Sequence, residues 1–163
     1  MSDITYIRLP RGFAYLAVVL DAFSRKVVGW HMSLNIDSEL VLEALRSALA
    51  GRQPAEGWIH HSDQGIQYAC NGYVDAVLGA GGRPSMSSKA NPYDNAKAES
   101  FFASLKKEHV HVQEYDSFQE AQTQIAAYID NYYNCRRLHS KLGYTSPNEF
   151  EQTLEPTTGG RAA

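Results

Sequence analysis

A mixed α/β sheet layered with helices is the fold class this sequence predicts, on three observations. Three consecutive strand-like runs near the start are separated by short turns, a helix-period segment then leads to a fourth strand, and a second strand and helix pair follows before the chain turns helical. A strand, helix, strand crossover runs right-handed and brings the fourth strand parallel to the first.

The elements follow in order. DITYIRL, FAYLAVVLD and KVVGWHM form an antiparallel meander, with Pro10-Arg11-Gly12 as the first turn and Ser24-Arg25 within the second. Asp37 or Ser38 caps a helix in which Leu40, Val41, Ala44, Leu45 and Ala48 recur at three-and-four spacing, and Gly51 stops it. GWIHHS is a short buried strand; the polar SDQGIQY cannot continue it. YVDAVLGA is helical up to the glycines at 79–82, RPSMS is a fifth strand, and SKANPYDN is a loop of turn formers. A helix is expected from Asn95 to about His109, with Phe101, Phe102 and Leu105 on one flank. Ser117-Phe118-Gln119-Glu120 has the form of a capping box, and Ile125, Tyr128, Ile129, Tyr132 and Tyr133 continue an apolar stripe after it. Past Pro147 the helical signal fades, so one domain is expected over residues 1–150, with 151–163 a disordered tail.

Composition narrows the class. Hydrophobic residues at 44% and charged residues at 20% exclude a globally disordered chain. The longest apolar run, Phe13 to Leu20, is far below the eighteen or so residues of a spanning helix, and MSDITYIRLP has no signal-peptide core, so a cytoplasmic location without membrane attachment is expected. Cys70 and Cys135 form neither a disulfide framework nor a cysteine zinc site. The net charge of −3 is unlike a dedicated nucleic-acid binder, but residues 131–143 hold Arg136, Arg137 and Lys141 with no acid, a local cationic patch.

Three acids are placed for chemistry: Asp3 in the first strand, Asp63 just after the fourth and Glu99 one turn into a helix. Parallel pairing of strands one and four sets Asp3 beside Asp63, and the helix opening after NPYDN can lay Glu99 over them. Carboxylates about 5 Å apart repel by about 3 kcal/mol per pair at an effective dielectric near 20, so such a trio makes sense around divalent cations, and oxygen-only ligation selects Mg²⁺ or Mn²⁺. Two such ions suit an in-line phosphodiester displacement. Taken singly, Asp63 also reads as a turn cap, Glu99 as a solvated helix charge and Asp3 as an exposed edge residue. Asp21, where strand two turns into strand three, reads as a turn residue. Zinc ligation by His60, His109, His111 and His139 would need a chance convergence; hydrogen-bonded or surface histidines are the ordinary reading.

HSDQGIQY around Asp63, NPYDNAKAESFFASLKKE around Glu99 and YNCRRLHSKLGYTSPNEF near the C-terminus together resemble the integrase-type catalytic core of bacterial insertion-sequence transposases, the OrfB-type subunits related to retroviral integrases. The likeness extends from DITYI to about Phe150, and 35 residues separate Asp63 from Glu99, as that family's Asp, Asp, 35, Glu pattern requires. It implies a ribonuclease-H-like five-stranded sheet flanked by helices, with Asp3, Asp63 and Glu99 as catalytic metal ligands for two Mg²⁺ or Mn²⁺ ions. Lys106 falls seven residues after Glu99 on the same helical face, where the family carries a DNA-contacting cation. Tyr132, Tyr133, Arg137 and His139 sit in a YN-x-x-R-x-H pattern suited to phosphate or a splayed base, although a core tyrosine stripe with a surface arginine explains them too.

The activity so implied is DNA strand cleavage and transfer in transposition, on element ends and target DNA, by a homo-oligomer associated with the bacterial nucleoid and paired with a helix-turn-helix transposase subunit. Because the chain begins two residues before Asp3, sequence-specific end recognition is expected to be absent. A catalytically silent DNA-binding or multimerisation fragment is the alternative.

Overall fold

In a computed structural model that describes residues 1–86 and 96–154, five strands form one sheet in the order β3-β2-β1-β4-β5. They are β1 (Ser2–Arg8), β2 (Phe13–Leu20), β3 (Val27–Ser33), β4 (Ile59–Ser62) and β5 (Arg83–Met86). β1, β2 and β3 are antiparallel, whereas β4 lies parallel to β1 and β5 parallel to β4, the arrangement the crossover argument expects.

Strand alternation sorts the core into two layers. On β2, Ala17 and Val19 face α1 (Ser38–Gly51) and α2 (Asn71–Gly79), joining Leu40, Val41, Ala44, Leu45, Tyr73 and Val77. Ala14, Leu16, Val18 and Leu20 face the other way, against Phe101, Phe102 and Leu105 of α3 (Ala96–Glu108) and Ile125 of α4 (Phe118–Ala127). Register carries this parity across to β1: Ile4 opposes Ala17, while Asp3 opposes Val18 and Ile7 opposes Ala14. The odd-numbered residues of β1, Asp3 among them, therefore face the α3 layer.

Local chemistry fixes the ends. Asp37 caps α1 by accepting from the Leu40 N–H at 3.1 Å. Gly29 lets β3 approach α1, since a Cβ there would lie 2.4 Å from the Ala44 carbonyl oxygen and the Ala48 nitrogen. Ser117 caps α4 through the Glu120 N–H, but the Glu120 carboxylate reaches back to the N–H of Asp116 rather than to that of Ser117.

Two features depart from the sequence reading. The apolar stripe after α4 continues as a π-helical turn, Tyr128–Tyr133, in which the Asn134 N–H bonds the Ile129 carbonyl. That turn aims Asn134 at the sheet, where its side chain both accepts from Val27 N–H and donates to Val27 C=O at 3.0 Å, closing the start of β3. The second is α5 (Pro147–Leu154), which runs past the expected boundary at residue 150. Its Glu151 pairs with Lys26 and Arg52, and Phe150 packs on Phe23, so the segment is tied to the β2–β3 turn. The loop 88–95 and the tail from residue 155 lie outside the described residues.

Candidate active site

Ser2 opposes Ser62 in the parallel register between β1 and β4. Both are buried and share the α1 layer's parity, and the Ser2 hydroxyl bonds the Val18 carbonyl at 3.0 Å and lies 3.3 Å from the Tyr68 hydroxyl. The residue after each serine is an aspartate. Asp3 is fixed by Oδ1 accepting from the Ile4 N–H at 2.8 Å, and Asp63 by Oδ1 accepting from the Gly65 N–H at 2.8 Å. Glycine at 65 leaves this contact unobstructed, because a Cβ there would stand 2.9 Å from Asp63 Oδ1 and press the carboxylate aside. Tyr68, buried behind Ser2, feels both charges: burial pushes its hydroxyl well above the usual phenol range, and the fields of Asp3 and Asp63 add to that against the opposing Ser2 bond. Tyr68 therefore stays neutral in the α1 layer, across the sheet from the face that Asp3 takes.

Glu99 is exposed in the first turn of α3, where the helix N-terminus favours negative charge. Lys97, two residues earlier, lines a cavity with Met1 and His61, so α3 starts beside the ends of β1 and β4 that carry the aspartates. As to a divalent cation, Asp3 and Asp63 fit one by their chemistry: hard oxygen donors on adjoining strands, each oriented by a backbone N–H. Among the described residues, however, no three His, Cys, Asp or Glu side chains are gathered closely enough to hold a metal together, so Glu99 is not grouped with the aspartates in this structure.

Lys106 lies on the same face of α3 as Glu99, its Nζ 4.6 Å from the centroid of the exposed Tyr6 ring. Arg137 and His139 lie elsewhere, at the far end of α3. The Arg137 guanidinium makes two-pronged bonds to Glu108 at 2.8–3.0 Å, and Tyr128 donates to the same carboxylate at 2.8 Å. Burial raises the Glu108 carboxyl, but the Arg137 and Tyr128 bonds outweigh it and hold it below the usual range. Burial, then the adjacent Arg137 charge, lowers His139 to about 4. His60 is buried, 2.7 Å from the Tyr73 hydroxyl, and burial lowers it to about 3. Asp21 caps its own turn through the N–H groups of Phe23 and Ser24.

Motif reading passed over Asn134 and Tyr68. Asn134 is inside the YN-x-x-R-x-H pattern, but its sheet contact depends on the π-turn; Tyr68 follows HSDQGIQ with nothing in the local text to mark it as the partner of Ser2.

A mixed sheet with two acids converging at the parallel strand pair defines an integrase-type catalytic core. The chain belongs to the Integrase core domain family, matching one family model over residues 1–92 and a second over 80–147. It is 43% identical over 152 residues to the transposase for insertion sequence element IS904 of Lactococcus lactis subsp. lactis (strain IL1403), covering 93% of this chain and 60% of the relative. It is 42% identical over 150 residues to transposase InsF for insertion sequence IS3A of Escherichia coli (strain K12), covering 92% and 52%. The chain thus spans about half to three-fifths of these relatives. Its fold matches the HTLV-2 integrase catalytic core domain, solved in complex with magnesium as a dimer, at a TM-score of 0.65 and 13% identity over 91% of this chain and 92% of that one. The expected ribonuclease-H-like sheet is thereby the observed fold. No described helix is long and apolar enough to cross a membrane.

Proposed function

We propose that this chain is the catalytic core of an insertion-sequence transposase, cutting DNA at element ends and joining the freed 3′ ends to target DNA. The observation that supports this reading is the parallel Ser2–Ser62 register, in which an aspartate follows each serine, in a chain where 35 residues separate the second aspartate from Glu99.

Asp3, Asp63 and Glu99 would hold two Mg²⁺ or Mn²⁺ ions. Bound there, such ions lower the cost of ionising a water or a 3′-hydroxyl and of charge on the leaving oxygen. The chain's own part is positioning. The Ile4 and Gly65 N–H groups fix the two aspartates before substrate arrives, so little reorganisation is left for the reaction step. Tyr68 stays protonated and holds Ser2, the residue before Asp3, from the α1 layer. Lys106 would take a DNA phosphate beside Glu99. Arg137, engaged with Glu108, would brace the end of α3 and turn its remaining N–H toward a DNA phosphate, with the neutral His139 beside it.

Partners under this reading are element-end and target DNA, further copies of the chain, and a helix-turn-helix transposase subunit; the setting is the bacterial cytoplasm at the nucleoid. The relatives' greater length supports a core that works with additional segments. The absence, among the described residues, of a three-ligand metal group favours a second reading, a silent DNA-binding or multimerisation fragment.

Oligonucleotide nicking and strand-transfer assays separate the two. Mg²⁺- or Mn²⁺-dependent products that vanish in Asp63→Asn and Glu99→Gln support the core reading. Metal-independent DNA binding without cleavage by the unmodified chain supports the fragment.

A further inference from the structure

The hairpin of β1 and β2 carries rings and cations that neither the core nor the carboxylates use. Register sets Tyr6 opposite Tyr15 and Arg8 opposite Phe13, so the four side chains share one face of the sheet. Ile4 and Tyr15 on that face still pack against the α1 layer. Toward the hairpin tip the cover ends: Tyr6 is 57% exposed, Phe13 is 49% exposed, and Arg8 is exposed beside them. The two rings meet edge to face, with centroids 5.4 Å apart and planes at 85°.

The sheet edge brings a further group to the rings. β4 ends at Ser62, opposite Ser2, so no described strand flanks β1 from Ile4 to Arg8 on that side. Around this edge Lys106 of α3 reaches Tyr6, its Nζ 4.6 Å from the ring centroid. Arg11, exposed in the turn, is the third cation. The sequence holds no acid over residues 4–20, and among the described residues none of Arg8, Arg11 and Lys106 is in an ion pair. Three uncompensated cations complement phosphates, and the rings complement the flat face of a base. A duplex hides its base faces inside the stack, whereas an unpaired strand offers phosphates and base faces together.

We propose that this hairpin face binds an unpaired strand of DNA, one base stacking on the Tyr6–Phe13 pair while Lys106, Arg8 and Arg11 take the flanking phosphates. The proposal rests on the transposase reading and names a substrate feature for it: a strand separated from its complement beside the cut. Tyr6 follows Asp3 by three residues, about 10 Å along β1, so a strand held at the aspartate end comes within reach of the rings. Stacking is indifferent to base identity, so the face would hold the strand without reading its sequence.

Binding of a fluorescent oligo-deoxythymidine, and of a duplex of equal length, is measured without divalent ions. The full chain is compared with the double variant Tyr6→Leu, Phe13→Leu, which keeps apolar bulk on the strands and removes both rings. The double variant should bind the single strand about tenfold more weakly and the duplex within about twofold of the parent, with an unchanged salt slope. Tyr6→Trp should bind the single strand at least as tightly as the parent, and Arg8→Gln should lower the salt slope by about 1. An oligonucleotide carrying 5-bromodeoxyuridine should photocrosslink at Tyr6 or Phe13. Undiminished single-strand binding by the double variant, an equal loss on duplex, or crosslinks confined to other residues would overturn the proposal. A changed sedimentation of the double variant without DNA would overturn it too, by marking the face as a contact between copies of the chain. With no divalent ion present, the result is read independently of whether the chain cleaves DNA.

Discussion

Ser2 and Ser62 face each other across the one register pair that joins β1 to β4, and the aspartates that follow them leave the two strands side by side. Without metal, the two carboxylates repel. Asp63→Asn keeps the oxygen that accepts from Gly65 and removes one charge, so the metal-free variant should be more stable than the parent by about 1 kcal/mol. Added Mg²⁺ should raise the melting temperature of the parent but not of the variant. Differential scanning calorimetry with and without Mg²⁺ checks both; a destabilised metal-free variant would show that the aspartates do not repel.

Gly65 offers a test of positioning. A methyl group at residue 65 would press on Asp63 Oδ1 from 2.9 Å, displacing the carboxylate rather than the fold. Gly65→Ala should cut strand cleavage about 100-fold while leaving the melting temperature within about 2 °C. Full activity in this variant would mean that the Asp63 orientation seen here is not the working one.

Lys106 and Arg137 should separate cleanly. Among the described residues Lys106 has no carboxylate partner, and it sits over an exposed ring, so Lys106→Ala should lower the slope of log K against log salt for DNA by about 1 without a thermal shift. Arg137 holds Glu108 through a two-pronged pair, so Arg137→Ala should destabilise the fold by about 2 kcal/mol as well as weaken DNA binding. Filter-binding titrations over a salt series, run beside thermal melts, read both quantities.

The buried histidines set an acid limb. His60 titrates near 3 and His139 near 4 in the folded chain, against about 6.5 when unfolded. Below pH 6.5 the unfolded chain takes up protons that the folded chain refuses, so stability present above that pH falls progressively toward pH 3 to 4. Glu108, depressed by Arg137 and Tyr128, adds a loss of the same sign below about pH 4.5. Urea midpoints should decline from pH 7 to pH 4, and His60→Gln should flatten the decline; an unchanged slope in that variant would exclude His60 as a source.

Most of this architecture is legible in the residues because local signals agree with tertiary demand. The apolar run FAYLAVVL, the Asp37 cap and the crossover rule suffice to set β1 beside β4. α5 had its own signal, since Ser146-Pro147-Asn148-Glu149 forms a capping box: the Ser146 N–H bonds Glu149 at 2.9 Å and Ser146 Oγ accepts from the Glu149 N–H at 3.3 Å, with proline at the first helical position. The π-turn had none. Its extra residue per turn brings Asn134 to Val27, over a hundred positions earlier, and periodicity cannot report so distant a contact. The same holds for Arg137, whose motif suggests a phosphate but whose guanidinium meets Glu108 first.

The central claim, that Asp3, Asp63 and Glu99 grip divalent ions, is tested most directly by anomalous diffraction from crystals soaked in Mn²⁺. The account predicts a manganese peak shared by the Asp3 and Asp63 carboxylates, with Glu99 drawn to it, and no such peak in Asp63→Asn. Manganese bound only at other sites, or none at millimolar concentration, would contradict it.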